Sequence, residues 1–125
     1  MYELKVVTQF AAAHQLKMVA EKCENLHGHN WRVEVFLQGR QLDKAGVLMD
    51  FGEVKKQLAV IMARLDHKFL NEIDAFSGDS PPSSENIARY IADELQAAIA
   101  DPDVRVSRVS AWESDTACAS YIPVS

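Results

Sequence analysis

The stretch His27–Gln38, HGHNWRVEVFLQ, decides how this chain folds. Its residues alternate with period two: His27, His29, Trp31, Val33, Val35 and Leu37 fall on one face, and Arg32, Glu34 and Gln38 on the other. That is the pattern of a half-buried strand. Two of the chain's four histidines therefore sit at i and i+2, side by side on the core face. Upstream, Tyr2, Leu4, Val6, Thr8, Phe10, Ala12 and His14 repeat the pattern, with Glu3, Lys5 and Gln9 on the opposite face. A connection over residues 15–26 returns the chain antiparallel. His14, ending the first strand, then meets His27 and His29 at the start of the second.

Downstream, QGRQLDKAG reads as a turn. Asp50 with Glu53 three residues later forms a helix-start signature, and Val54, Leu58, Ile61, Met62 and Leu65 follow helical spacing to an end near Asp66-His67. NEIDAFSGDSPPSS is too rich in Pro, Gly, Ser and Asp for regular structure. A second helix starts around Ser84, buries Ile87, Ile91, Leu95, Ala98 and Ile99, and stops at Asp101-Pro102. VRVSRVSAWES reads as a third strand whose apolar parity changes near Ser107, and CASYIPV as a short fourth. The order strand, strand, helix, helix, strand, strand predicts an α+β fold: one domain over residues 1–125, a four-stranded antiparallel sheet with two helices on one face.

At 125 residues the chain buries a core without a metal staple, so a metal here is expected to be functional. With 48% apolar and 25% charged residues and no run long enough to span a bilayer, it reads as soluble. MYELKVVTQF lacks the layout of a signal peptide, and two cysteines make no disulfide framework, which predicts a reducing, cytoplasmic setting. A net charge of −5 argues against a nucleic-acid binder. Lys17, Lys22, Arg32 and Lys68 leave room for a basic patch facing a small anion.

Three imidazoles on neighbouring strands suit zinc with a fourth position open to water or substrate. Gly28, between two of them, leaves space for close approach. Cys23, four residues before His27, admits two readings with equal weight. As a fourth ligand it closes a structural site; as a free thiol near a dication it becomes a thiolate able to take a proton. Cys118 reads as a small core residue. Asp66 and His67 read first as a helix C-terminus complementing the dipole, and second as a proton relay. Glu113 alternates with Val109 and Ala111; a strand-end surface acid is the plainer reading. On the apolar face it would need a partner, such as the paired N–H donors of a guanine-like or pterin ring.

Taken together, FAAAH, CENLHGHNW, MDFGEVK, LDHKFLN, PSSENIARYI and WESDTACASY resemble the 6-pyruvoyl-tetrahydropterin synthase family in order and spacing along nearly the whole chain. The CxxxHGH spacing is similar to the branch that makes 6-carboxy-5,6,7,8-tetrahydropterin in queuosine biosynthesis. The resemblance implies the tunnelling fold, with sheets closing into a barrel in a homo-oligomer, trimer or hexamer. It implies a lyase that converts 7,8-dihydroneopterin triphosphate to 6-carboxy-5,6,7,8-tetrahydropterin, with no nucleic-acid or membrane partner. It assigns zinc to His14, His27 and His29, and proton acceptance to Cys23. Asp66 and His67 become the relay, and Glu113 anchors the pterin and joins that relay as a catalytic residue, with Ser84 and Glu85 as further substrate-site residues. The site is expected at a seam between subunits. Gln15 departs from the family, where arginine follows the first zinc histidine. The rival readings are a pyruvoyl synthase or related pterin lyase, and a non-catalytic zinc-bound pterin- or purine-binding assembly protein.

Overall fold

Alternation of apolar and polar residues closes the first two strands into one long hairpin. β1 (Tyr2–His14) pairs antiparallel with β2 (His27–Gly39) in unbroken register from Tyr2↔Gly39 to His14↔His27. The computed structural model describes residues 1–17 and 26–124, with His27 described at its backbone. β2 stops at Gly39, where a Cβ would run into the Leu48 side chain and lie 3.1 Å from the Asp103 carbonyl oxygen.

Asp50 caps α1 (Phe51–Leu65) by accepting a hydrogen bond from Gly52 N at 3.0 Å. Glu53 does not complete a capping box; its Oε1 accepts from Gln57 Nε2 one turn on. Ser83 caps α2 (Ser84–Ala98) through Asn86 N. This helix ends before Asp101-Pro102, and Ala88 and Ala92 are buried where Ala98 was expected.

The sheet corrects the sequence reading: it has five strands and is mixed, in the order β3-β1-β2-β4-β5. β3 (Lys68–Phe69) runs parallel to β1 through Ala12↔Lys68 and Ala13↔Phe69. The cause is local. His67 adopts φ 57°, which turns the chain out of α1 and lays the next two residues beside β1. β4 (Arg105–Ser114) joins β2 antiparallel, and β5 (Ala117–Tyr121) joins β4. The predicted irregularity is present: Phe36 pairs with Arg108 and Leu37 with Val106, leaving Ser107 as the extra residue of a bulge.

Both helices contribute to one core. Val54, Leu58, Ile61 and Leu65 of α1 and Ile87, Ile91 and Leu95 of α2 cluster with Val6, Phe10, Trp31, Val33, Val35, Val109 and Ala111 of the sheet. Burying side chains of this size stabilises by about 1.5–3 kcal/mol each, which makes this face the main source of stability. No helix among the described residues is long and apolar enough to cross a membrane.

Candidate metal and substrate site

The hairpin register carries its histidines to one end of the sheet. His14 ends β1 opposite the backbone of His27, and His29 lies opposite Ala12. His14 is 1% exposed, and its Nδ1 lies 2.7 Å from the Pro82 carbonyl oxygen. A carbonyl only accepts, so Nδ1 is assigned the hydrogen and, in the neutral ring, Nε2 carries the lone pair. Trp31, fully buried, packs edge-on against both rings, with centroids 5.1 Å from His14 and 5.5 Å from His29. Phe10 stacks on the indole at 5.9 Å. The two imidazoles are thus seated on an aromatic bed supplied by the same two strands.

Glu113 completes the cluster. Trp112 pairs with Cys118 and Ser114 with Ala117, so Glu113 is the extra residue of a second bulge. A bulge re-aims a side chain, and here Glu113 Oε1 comes to 2.9 Å from His29 Nε2 and 3.2 Å from His14 Nε2. One ligand atom from each of His14, His29 and Glu113 lies within 4.8 Å of the others. With Nδ1 carrying the hydrogen, neutral His14 presents its Nε2 lone pair to the Glu113 carboxylate, and that acceptor pair needs a proton or a metal cation between them. Two imidazoles and a carboxylate also form a donor set that zinc uses in catalytic sites. These residues fit a metal ion.

A second group of residues ties the segment after α1 to the end of β1. Asp66 Oδ1 accepts from Ala11 N at 2.9 Å, and His67 N donates to Ala11 O at 2.6 Å. The Asn71 amide brackets Gln15, accepting from its N at 2.9 Å and donating to its carbonyl at 2.8 Å. The His67 side chain is 83% exposed, with Nε2 3.5 Å from Asp66 Oδ2. The left-handed turn at His67 brings together two side chains that helical spacing would have kept apart. His67 and His29 line one cleft of about 540 Å³ with Ala11, Ala13, Gly28 and Lys68. At Gly28 the nearest atom to a built Cβ is Ala12 O at 4.0 Å, so the glycine leaves open space beside the histidines.

Of the residues singled out from sequence, His14, His29 and Glu113 converge, and Asp66 and His67 share the cleft wall with His29 or lie next to it. Ser84 and Glu85 open α2 just after Pro82 and Ser83, close in sequence to the carbonyl that holds His14. Cys23, Lys22 and the side chain of His27 lie outside the described residues. Pro82, Asn71 and Trp31 were not singled out. The strand pattern had put Trp31 on the same face as the histidines, without marking it as part of the site.

The molecule is thus an α+β domain with a histidine–carboxylate cluster at one end of its sheet. The family model described as 6-pyruvoyl tetrahydropterin synthase matches residues 3–123. The chain belongs to this family, which is one of pterin-processing enzymes. It is 37% identical over 106 residues to a dihydroneopterin monophosphate aldolase of Pyrococcus furiosus, covering 85% of this chain and 84% of that one. It is 34% identical over 100 residues to a 6-carboxy-5,6,7,8-tetrahydropterin synthase of Bacillus subtilis, covering 77% and 66%. Its fold matches the 6-pyruvoyl tetrahydropterin synthase structure from Caenorhabditis elegans with a TM-score of 0.85 over 98% of this chain and 96% of that one, at 24% identity.

Proposed function

We propose that this chain converts 7,8-dihydroneopterin triphosphate and one water to 6-carboxy-5,6,7,8-tetrahydropterin, acetaldehyde and triphosphate, as a step towards queuosine. The observation that carries the reading is the convergence of His14, His29 and Glu113 beside an open cleft, in a chain with a 6-carboxy-5,6,7,8-tetrahydropterin synthase among its relatives.

In this reading His14 and His29, with His27, hold zinc. The chemistry that ion supplies when bound is Lewis-acid polarisation of the substrate's side-chain oxygens. Cys23 takes the proton from the side-chain position next to the ring. Asp66 holds His67, which returns the cysteine to its thiolate form. Glu113 accepts two N–H groups of the pterin and joins the proton relay, and Ser84 and Glu85 lie near enough in sequence to Pro82 to border the substrate. The open edge of β1 over Tyr2–Phe10 and the edge strand β5 suit pairing between copies, since exposed edges seek partners and β1's outer edge is engaged only from Ala11 to Ala13 among the described residues. This supports a homo-oligomeric barrel. Mixing Cys23→Ala with His67→Ala subunits restores partial activity if one site draws on both chains; verified mixed oligomers without recovery assign both residues to one chain.

A second reading is favoured by the aldolase relative: side-chain cleavage of a dihydroneopterin monophosphate. Gln15, standing where the family has arginine, fits a substrate with less phosphate charge to hold. Both readings break a carbon–carbon bond of the side chain, and their products differ. Incubation with the triphosphate and with the monophosphate, followed by mass analysis, decides between them. Acetaldehyde with the carboxypterin supports the synthase, a phosphorylated aldehyde with a hydroxymethylpterin supports the aldolase, and no turnover of either removes both.

A further inference from the structure

Two side chains finish what a very short strand begins. β3 spans only Lys68 and Phe69, beside Ala12 and Ala13 of β1. Before that pair, Asp66 Oδ1 accepts from Ala11 N at 2.9 Å and His67 N donates to Ala11 O at 2.6 Å. After it, Asn71 Oδ1 accepts from Gln15 N at 2.9 Å while Asn71 Nδ2 donates to Gln15 O at 2.8 Å. An acceptor and a donor facing the N–H and C=O of one residue is what a neighbouring strand offers at a hydrogen-bonded pair. The Asn71 amide thus carries the pairing along β1 past Ala13 to Gln15, the residue just after His14. The amide is itself anchored. Asn71 lies in the 3₁₀ turn Leu70–Glu72, where the Leu70 side chain is fully buried in the core and the Leu70 carbonyl oxygen accepts from Ile73 N at 3.0 Å. Pro82 and Trp31 hold the His14 ring, and Asn71 holds the main chain next to it.

We propose that Asn71 is a positioning residue of the metal site: by pairing with both backbone groups of Gln15, it fixes the end of β1 from which His14 reaches the cluster. The proposal rests on the metal reading of the His14 and His29 site, and not on which pterin reaction follows. An outer residue that holds a ligand in place raises metal affinity without touching the metal, because less has to be ordered when the ion arrives. The coupling is reciprocal: where the bracket on Gln15 favours the ion, the ion favours the bracket to the same extent.

Zinc affinity of the folded protein, measured by competition with a chromophoric chelator well below the melting temperature, tests this. Asn71→Ala is expected to bind zinc about tenfold more weakly than wild type, the lower end of what such outer partners are worth. Asn71→Asp keeps the shape and the acceptor for Gln15 N but sets a carboxylate oxygen against the Gln15 carbonyl, so it is expected to lose at least as much. Phe76→Leu is the control for a role confined to stability. Phe76 is buried against Tyr90 a few residues on and carries neither bond to Gln15, so this variant lowers the melting temperature and keeps wild-type zinc affinity. In the wild type, zinc loading is expected to slow hydrogen exchange at the Gln15 amide by about tenfold, the same coupling read from the other end. Wild-type zinc affinity in folded Asn71→Ala or Asn71→Asp overturns the proposal. So does an equal loss in Phe76→Leu, which would make the effect one of stability. Gln15 exchange unchanged by zinc overturns it even where neither Asn71 variant folds. Wild type that takes up no zinc removes the metal reading, and the positioning role with it.

Discussion

Glu34 and Glu113 are both acids on strands of one sheet, and they are held in opposite ways. Glu34, on the face that carries no helix, is 7% exposed and receives Lys5 Nζ at 2.8 Å, Trp112 Nε1 at 2.6 Å and Arg32 Nη2 at 3.3 Å. The Lys5 hydrogen bond holds its carboxyl below the usual carboxylate range; burial opposes this, while the Trp112 bond and the positive charges of Lys5 and Arg32 act with it. Glu113 sits on a bulge, partly exposed, facing imidazoles. A buried carboxylate with several cationic or N–H partners is a locked structural element. One aimed at imidazole nitrogens in an open site is poised for a cation or a ligand, and that difference separates the scaffold from the chemistry.

The strongest way to break the comparison is at the poised end. His29→Ala is expected to lower kcat/KM on the order of a thousandfold, the worth of several kcal/mol of metal-assisted charge stabilisation. The protein's melting temperature should stay near the wild-type value, since the apolar core is untouched. Metal analysis of the purified variant checks the cause: stoichiometric zinc would show that His29 is not a ligand. Cys23→Ala sharpens the same point with an expected loss of about a hundredfold in turnover, as befits removal of a proton-transfer group. It should retain zinc; zinc loss would assign Cys23 to the metal instead.

At the locked end the expected loss is in stability. Glu34→Gln should destabilise by about 2 kcal/mol, because Trp112 Nε1 and two cations lose a charged acceptor. The cost stays below that of a fully buried pair because Lys5 and Arg32 are 47% and 58% exposed and regain water. The pH dependence has a definite sign. A carboxyl whose folded pKa is depressed contributes its full stability above the ordinary carboxylate value of 4.5 and loses it as pH falls from there through the folded pKa. Urea midpoints measured from pH 7 to pH 3 should therefore fall more steeply for wild type than for Glu34→Gln. Equal slopes would mean that Glu34 titrates alike in the folded and unfolded chain. Zinc affinity should be unchanged, and a change would show that Glu34 acts through Trp112 on the adjacent bulge.

What could be read in advance follows from which forces are periodic. The β1–β2 hairpin, both helices, the Ser107 bulge and the meeting of His14 with His29 all rest on spacings of two or about 3.6 residues, and spacing is visible in a sequence. β3 is two residues long and depends on one left-handed residue, so no pattern announces it. The aim of Glu113 was half legible: its alternation with Val109 and Ala111 allowed the apolar face while a surface acid was the plainer reading, and its contact with two imidazoles comes from a bulge within a short antiparallel pair. The clamps at Pro82 and Asn71 join residues 68 and 56 positions apart, and nothing local marks them.

His67 is the smallest and most discriminating test, because it belongs to neither class. Its backbone is clamped to Ala11 O like a structural element, while its side chain is 83% exposed beside the cleft like a functional one. At φ 57° a side-chain-bearing residue costs about 1 kcal/mol or more relative to glycine, which occupies that region freely. His67→Gly relieves the strain but makes the unfolded chain more flexible, whereas His67→Ala keeps the strain and removes the imidazole. The two variants should therefore differ in stability by about 1 kcal/mol in favour of glycine, roughly 4 °C in melting temperature for a domain of this size. Equal melting temperatures would mean that the turn is not strained. Both variants should lose turnover to the same extent if the imidazole relays a proton. Full activity in the glycine variant would mean that histidine occupies a left-handed turn without a role in the chemistry.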